Sequence, residues 1–147
     1  MVVEGILPAS RVRLFTIGAD APLIAAAILL RDLDKDIVVV RDSEGVLAGV
    51  ITKTDIVRQI SHCQGAGCKA AASAVMTQAV VYCRPDNLLH EIWTIMKERH
   101  LKNVPILDRE SRPIGVLNAR DALEALLREL EYEEALLREY VMCVGYH

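Results

Sequence analysis

Two short polar segments, 66 positions apart, contain the residues best suited to bind a charged ligand. Each lies where a strand is predicted to give way to a helix, and together they contain Thr52, Thr54, Asp55, Asn118, Arg120 and Asp121. An ionised carboxylate only accepts hydrogen bonds, so one Asp can take both hydroxyl protons of a cis-diol such as ribose. A helix start adds free backbone N–H groups and a positive dipole, which suit a phosphate. The pattern predicts recognition of a sugar and a phosphate; the alternative is that Asp55 and Asp121 only cap helices.

The same spacing of 66 runs through a much longer part of the chain. Residues 11–60 align without a gap with residues 77–126, which places Asp42 on Asp108 and Gly49 on Gly115. An internal repeat indicates one supersecondary unit used twice. The order of apolar runs, turn residues and helical periodicity predicts β-α-β-β-α in each copy, and therefore an α+β fold.

The repeat fixes the expected element bounds. Each copy is predicted to contain a strand, a helix, a second strand and a hairpin strand, in that order. In the first copy they lie at residues 13–17, 22–32, 37–40 and 47–52. In the second copy they lie at residues 80–83, 88–99, 104–107 and 113–118. Four aspartates are predicted to cap helices, namely Asp20, Asp55, Asp86 and Asp121. We divide the chain into a first repeat (residues 1–62), a linker (63–74), a second repeat (75–127) and an acidic helical tail (128–147). The apolar stripe of the tail is expected either to pack on its own repeat or to pair with another subunit.

Three motifs resemble those of cystathionine-β-synthase-type (CBS) domains. Residues 49–55 read GVITKTD, similar to the family's closing motif of Gly, two apolar residues, Ser/Thr, two spacers and Asp. Residues 104–108 read VPILD, like the family's apolar-Pro strand, and residues 75–77 read VMT, like the usual start of a second copy. The resemblance covers nearly the whole chain except its start and the acidic tail. It implies a tandem pair, or Bateman module, whose two repeats pack through their sheets about a pseudo-two-fold axis and leave two clefts.

The resemblance also implies a role. Family members bind adenosine-containing ligands such as AMP, ADP, ATP, NAD or S-adenosylmethionine and sense them without chemistry, so neither enzymatic activity nor a catalytic cofactor is predicted. It further implies a homodimer, arranged as a flat two-fold disc, that signals to an effector protein. In family members the residues just before the apolar-Pro strand often face the ligand, and here they are Asp36, Ile37, Lys102 and Asn103. Val38 and Val104 are expected to supply apolar walls for a purine.

Two positions depart from the family pattern. Val39 stands where the strand proline is usual, and Asn118 stands where Ser or Thr is usual, which weakens one phosphate contact. Arg120 can compensate for that loss, because a guanidinium binds phosphate in bidentate fashion.

The charges expected around the two clefts differ. Asp36, which we place near Asp55, would repel a phosphate. Arg120 and Lys102, which we place near Asp121, give that cleft two positive charges where the first carries none, unless Lys53 or Arg58 folds inward. Charge-assisted hydrogen bonds are stronger than neutral ones. The Asp121 cleft is therefore expected to prefer ligands with more phosphates, and the Asp55 cleft a monophosphate.

Composition bounds the class of protein. The 147 residues are 52% hydrophobic and 25% charged, which indicates a globular chain. A net charge of −3 and few aromatic residues argue against a nucleic-acid partner. The longest apolar stretch, residues 21–30, is about half of what a membrane span needs, and no basic-then-apolar leader opens the chain. A cytoplasmic location without membrane insertion is therefore predicted.

His62, Cys63 and Cys68 lie close together and suggest a metal site. Zinc usually takes four ligands, and no second pair follows these residues, so no metal site is predicted. The rival to a nucleotide sensor is a ligandless dimerisation or interaction scaffold made of two degenerate repeats.

Overall fold

The computed structural model describes residues 1–32, 35–63 and 69–145 of the chain. Its elements are a 3₁₀ turn (Val3–Ile6), α1 (Leu7–Val12), β1 (Thr16–Gly18), α2 (Leu23–Asp32), β2 (Ile37–Arg41), β3 (Leu47–Thr52), α3 (Lys53–Cys63), α4 (Ala72–Val75), α5 (Leu89–Glu98), β4 (Asn103–Leu107), β5 (Pro113–Asn118) and α6 (Ala119–Gly145). The α+β prediction is confirmed. Part of the predicted linker, residues 64–68, lies outside the described residues.

The first repeat is built on a three-stranded sheet, in which β1 runs parallel and β3 antiparallel to the central β2. The central strand is apolar on both faces because both faces are covered. Val38 and Val40 pack in a cluster with residues of α2, while Ile37 and Val39 pack in another with Val116 of the second repeat. One face of the sheet therefore holds the helices of its own repeat, and the other holds the partner repeat.

The second repeat has only a two-stranded sheet, β4 and β5. The strand predicted at residues 80–83 is wrong, since it is reduced to one parallel bridge between Cys83 and Ile106. In the first repeat the N–H of Val39 donates to the carbonyl of Phe15 at 2.9 Å and ties the first strand to the second. The equivalent of Val39 is Pro105, which has no N–H, so this bond cannot form and the parallel ladder ends early.

Each repeat contacts the sheet of the other through the segment that leads into it. We call residues 10–14 and 76–80 the leading segments of the first and second repeat. Thr77 exchanges two backbone hydrogen bonds with Val50 of β3, at 3.0 and 2.8 Å, and α1 packs on β5. The two repeats are therefore joined by reciprocal contacts, as a pseudo-two-fold arrangement requires.

Two equivalent glycines permit this close approach. A Cβ on Gly49 would lie 2.7 Å from the carbonyl oxygen of Thr77, and one on Gly115 would lie 3.1 Å from Ser10 Cβ. The offset of 66 maps Ser10 onto Met76, whose side chain also lies against Gly49. Equivalent residues therefore make the contact of the first repeat on the second and that of the second repeat on the first.

An element that the sequence did not reveal precedes β1, within the residues predicted as the first repeat. The 3₁₀ turn and α1 carry Val3 and Leu7 into the core of the second repeat, where they pack with Leu89. The N–H of Val3 also donates to the carbonyl of Asn87 at 2.9 Å. The start of the chain is therefore part of the second repeat's core.

The caps predicted at Asp20 and Asp86 are wrong. Helix α2 begins three residues after Asp20, and the N-cap of α5 is Leu88, which makes no side-chain cap bond. Backbone carbonyls of neighbouring segments bond the first N–H groups instead, Leu23 N to Ala70 O at 2.8 Å and Leu89 N to Met1 O at 2.9 Å. Tertiary contacts thus replace the local side-chain caps.

Helix α6 continues without a break from the second repeat into the tail, over 27 residues. Its first part packs through Ala122 and Ala125, whereas residues 130–142 are all exposed. The alternative in which this tail packs on its own repeat is therefore wrong for residues 130–142, whereas Glu129 at the start of the tail pairs with the amino group of Met1 at 3.3 Å. Within residues 1–32, 35–63 and 69–145, the helices lack the combination of length and apolar character needed to cross a membrane.

Candidate functional site

The first predicted segment forms a reciprocal cap at the start of α3. The Thr52 hydroxyl accepts a hydrogen bond from the N–H of Asp55 at 3.4 Å, while Asp55 Oδ2 accepts from the N–H and hydroxyl of Thr52 at 2.9 and 3.1 Å. This is a capping box, in which the residue before the helix and the third helical residue satisfy each other's N–H groups. The cap is therefore Thr52, and the prediction that Asp55 itself caps the helix is corrected. Thr54, the third residue of the predicted set, is exposed.

The carboxylate of Asp55 also reaches the other repeat. Its Oδ1 accepts a hydrogen bond from the hydroxyl of Thr77 at 3.3 Å and lies 3.7 Å from Arg58 Nη1. Asp55 is only 7% exposed, and Ile37 stands opposite Thr52 across β2 and β3. The structure therefore brings Asp55, Thr52 and Ile37 together beside the leading segment of the second repeat.

The second predicted segment lies at the start of α6, the equivalent place in the second repeat, but its helix cap is different. Asn118 Oδ1 accepts from the N–H groups of Arg120 and Asp121 at 3.0 and 3.4 Å, which makes Asn118 the cap of α6. Its amide donates to Asn103 Oδ1 at 3.0 Å, and the carbonyl of Lys102 accepts from the N–H of Ala119 at 2.8 Å. Asn118 thus replaces a hydroxyl without loss of the cap, and the prediction that Asp121 caps the helix is corrected.

The carboxylate of Asp121 is held by a residue that the sequence did not single out. Arg13, from the leading segment of the first repeat, donates through Nε to Oδ2 at 2.6 Å and through Nη2 to Oδ1 at 3.0 Å. The side chain of Arg13 is 36% exposed and that of Asp121 is 19% exposed. The 66-residue offset was the available signal, because the segment before each first strand faces the other repeat in a pseudo-symmetric pair.

Arg13 is surrounded by acidic groups. Its pKa is raised, first by its hydrogen bond to Asp121, which outweighs the opposing effect of burial, and further by the charges of Asp121, Asp36 and Glu124. Asp36, which the sequence placed beside Asp55 alone, therefore also acts on the guanidinium at Asp121. The predicted position of Asp36 beside Asp55 stays a prediction.

The two basic residues predicted near Asp121 have exposed side chains. Arg120 is 85% exposed in its side chain and lies 3.7 Å from Glu124, one turn along the same helix. The side chain of Lys102 is exposed, and its described hydrogen bond is made by the backbone carbonyl. The guanidinium that contacts Asp121 is therefore that of Arg13. The expected contacts of Arg120 and Lys102 with a ligand phosphate stay predictions.

Val38 and Val104 do not form cleft walls. Both are completely buried, Val38 with the residues of α2 and Val104 in the core of the second repeat with Leu89 and Met96. Side chains alternate along a strand, so the neighbour Ile37 takes the opposite face. The prediction of these two valines as purine walls is wrong in this arrangement.

The described residues show little sign of metal or nucleophile chemistry. Among them, no group of three His, Cys, Asp or Glu side chains could hold a metal ion. Cys68 and the side chain of Cys63 lie outside the described residues, so the absence of a site there stays a prediction. Burial raises the pKa of the Cys83 thiol to about 12, which disfavours the reactive thiolate.

A surface depression of about 510 Å³ lies away from both carboxylates. Its described lining consists of Glu4, Arg84, Pro85, Asp86, Leu107, Asp108 and Arg109. The chemistry predicted from the sequence does not coincide with this depression, and the two carboxylates between the repeats remain the better candidate site.

Both repeats match the model of a single protein family. The model of the CBS-domain family matches residues 5–62 and 72–128, which together make up most of the chain. The chain belongs to the CBS-domain family. The motif resemblance is thereby confirmed, and the two matched segments form the paired repeats described above.

Solved CBS-domain structures share the fold. A CBS-domain-containing protein of Agrobacterium tumefaciens is 26% identical, with a TM-score of 0.71, over 84% of this chain and 92% of that chain. CBSX2 in complex with AMP is 18% identical, with a TM-score of 0.73, over 86% and 96% of the two chains. The CBS-domain pair of protein MJ0100, in complex with 5′-methylthioadenosine and S-adenosyl-L-methionine, is 20% identical, with a TM-score of 0.70, over 88% and 97%.

A curated relative matches a shorter part of the CBS pair. An uncharacterized protein of Methanocaldococcus jannaschii is 30% identical over 59 residues, which is 40% of this chain. The match spans 35% of that relative's length.

Proposed function

We propose that this CBS pair is a non-catalytic regulatory module in the cytoplasm that binds an adenosine-containing nucleotide and passes its occupancy to an effector protein. AMP, ADP, ATP and NAD are the candidate ligands, and the clefts are those at Asp55 and Asp121. The bound AMP of CBSX2 and the two adenosine derivatives bound to the MJ0100 pair support this class of ligand.

One observation carries the proposal. Each of the two equivalent carboxylates is held by the leading segment of the other repeat, Asp55 by Thr77 and Asp121 by Arg13. A ribose diol bound to either carboxylate has to share or replace that contact. Ligand binding would therefore change how the repeats hold each other, which is a physical basis for a signal.

Thermal unfolding and calorimetry test the proposal. A ligand that binds only the folded state stabilises it by about 2.7 kcal/mol at a hundredfold excess over Kd. AMP, ADP, ATP or NAD should raise the melting temperature, guanosine nucleotides should do so less, and 2′,3′-dideoxy analogues should bind weakly. Asp55→Asn and Asp121→Asn should each weaken ribonucleotide binding, with the exposed Asp20→Asn as the matched control. Equal binding of ribo and dideoxy ligands would refute the role of the carboxylates.

We also propose a homodimer formed through helix faces. Exposed large apolar side chains occur on α2, α3 and the first half of α6, namely Ile24, Ile28, Val57, Ile60, Leu123 and Leu127. A surface patch of apolar side chains commonly marks a protein interface, and we propose that these residues form one that symmetric pairing covers on both partners. Sedimentation equilibrium should give a dimer at tens of micromolar protein, and a monomer there would contradict the proposal.

A ligandless scaffold is the second candidate function. The observation in its favour is that both carboxylates already have partners within the chain, and no buried side-chain nitrogen or oxygen of the described residues lacks one. Under this alternative none of the adenosine ligands would shift the melting temperature, while removal of the exposed tail would change self-association. The thermal screen and sedimentation together separate the two candidates.

A further inference from the structure

One difference between the two clefts lies in the leading segments. Arg13 and Ala79 are related by the offset of 66, and both lie in leading segments. Arg13 binds Asp121 with two hydrogen bonds, whereas Ala79 offers no side-chain donor, and Asp55 is held by the hydroxyl of Thr77. A leading segment therefore supplies a cation to Asp121 but not to Asp55, whose described ion pair is with Arg58 of its own helix at 3.7 Å.

A ribose diol and Arg13 compete for the same two oxygens. The guanidinium contacts Oδ2 at 2.6 Å and Oδ1 at 3.0 Å, so both oxygens of Asp121 are engaged. A diol that takes both oxygens displaces a charge-assisted bidentate pair, which is among the stronger contacts that a protein makes. A nucleoside offers the displaced guanidinium no new anionic partner, whereas a nucleotide brings a phosphate, whose geometry matches the guanidinium.

Arg13 has the freedom to make that exchange. Its side chain is 36% exposed, and the pair with Asp121 uses Nε and Nη2 but not Nη1. The neighbouring carboxylates of Asp36 and Glu124 also act on its charge, so a phosphate has to compete with them for the released guanidinium. The exchange keeps a charged partner on Arg13 only when the ligand is phosphorylated.

We infer that Arg13 makes the Asp121 cleft selective for phosphorylated ligands: it pairs with Asp121 until a ribose diol takes the carboxylate, and then binds the phosphate of that ligand. This inference rests on the proposed function and deepens it. It predicts that ligand choice at this cleft depends on the leading segment of the first repeat more than on Asn118 or Arg120.

Calorimetry with adenosine and AMP tests the inference. The full chain, Arg13→Ala, Arg13→Lys and the control Arg11→Ala are titrated, each also with Asp55→Asn so that the Asp121 cleft can be observed alone. Arg13→Ala gives this cleft the residue that the other repeat has, and Arg11 is an exposed arginine two residues earlier, in α1. Because a hydrogen bond to a charged group is strong, Arg13→Ala should raise the Kd for AMP about tenfold or more, without raising that for adenosine. The Kd of Arg13→Lys for AMP should lie between those of the unmodified protein and Arg13→Ala. Arg11→Ala should leave the ratio of the Kd values for AMP and adenosine unchanged.

The outcomes separate this inference from the function on which it rests. If AMP binds the unmodified protein but Arg13→Ala changes both Kd values by the same factor, Arg13 is only structural and the inference is overturned, while the proposed function stands. If Arg13→Ala does not fold, Arg13→Lys decides, since an unchanged ratio of Kd values in that variant also overturns the inference. If neither adenosine nor AMP binds the unmodified protein, the proposed function and the inference fail together.

Discussion

Replacing Gly49 with alanine should weaken the contact between the repeats more than the same change at the equivalent Gly115. A Cβ on Gly49 would lie 2.7 Å from the carbonyl oxygen of Thr77 and 2.9 Å from the side chain of Met76. A Cβ on Gly115 would lie 3.1 Å from Ser10 Cβ. The first distance is too short to be accommodated without moving backbone, whereas the second requires a shift of only a few tenths of an ångström.

The magnitude follows from what holds Thr77 in place. Thr77 exchanges two backbone hydrogen bonds with Val50, at 3.0 and 2.8 Å, so its carbonyl cannot retreat without straining that pair. Overpacking costs about 1–3 kcal/mol and a weakened hydrogen bond about 1 kcal/mol, while alanine returns about 0.4–1 kcal/mol by restricting the unfolded chain. The free energy of unfolding should therefore fall by about 2–3 kcal/mol for Gly49→Ala and by about 0–1 kcal/mol for Gly115→Ala.

Urea unfolding of the two variants measures the difference. With a slope of about 2 kcal/mol per molar urea, a gap of about 2 kcal/mol separates the two midpoints by about 1 M. Gly49→Ala should also weaken nucleotide binding at the Asp55 cleft, because the hydroxyl of Thr77 contacts Asp55 at 3.3 Å. The reasoning is refuted if Gly115→Ala destabilises the protein as much as Gly49→Ala does.

A helix cap, a buried thiol and the tail give the remaining expected outcomes. Thr52→Ala should lower the unfolding free energy in urea by about 1 kcal/mol, because Thr52 caps α3, while the exposed Thr54→Ala should change it by less than about 0.5 kcal/mol; equal effects would contradict the cap. Burial raises the pKa of Cys83 from 9.0 to about 12, so folding favours the neutral thiol: this stability is complete below pH 9.0 and is lost as the pH rises toward 12. Peptide mapping after alkylation at pH 8 should accordingly find Cys83 unmodified in the folded protein, and rapid modification there would contradict its burial. Deleting residues 131–147 should shift the melting temperature of dilute protein by less than about 2 °C, because residues 130–142 are exposed, and a larger loss would show that the tail packs on the repeats.

The hairpin strands were predicted with correct bounds because their signals are local. Leu47–Thr52 and Pro113–Asn118 both follow a turn that an aspartate organises. Asp42 Oδ1 accepts from the N–H groups two and four residues on, at 2.9 and 3.0 Å, and Asp108 repeats this at 3.0 and 2.9 Å. Such a turn needs only neighbouring residues, so the sequence alone is enough to predict it.

The face of a buried strand could not be predicted in the same way. In β2 the run from Ile37 to Val40 is apolar throughout, so it shows none of the alternation that distinguishes the two faces of a half-exposed strand. Val38 was consequently expected to line the cleft, yet it packs among the residues of α2. Only the paired arrangement of the repeats, which assigns one face to helices and the other to the partner repeat, determines that Ile37 and Val39 face across the interface.

The contact between Arg13 and Asp121 could not be predicted from the motifs, for a different reason. The two residues are 108 positions apart, and their meeting depends on α1 packing on the second repeat instead of the first. The helix-start carboxylates were recognised because a motif surrounds each of them. A motif describes what lies beside a carboxylate in the chain, however, and does not describe what approaches it from the other repeat.

This distinction bears on how a CBS pair could choose its ligand. The motif that identifies the family supplies a carboxylate to each cleft. The opposite leading segment offers a neutral hydroxyl to Asp55, which also lies 3.7 Å from Arg58 of its own helix, whereas it offers a guanidinium to Asp121. Charge-assisted hydrogen bonds are roughly twice as strong as neutral ones, so a ligand at Asp121 has to replace the stronger contact. That replacement is least costly for a ligand whose own negative charge can re-engage the guanidinium. Two clefts with the same motif can therefore differ in ligand preference through the leading segments alone, which is why an account of selectivity has to begin with Arg13 and Thr77 and not with the family motif.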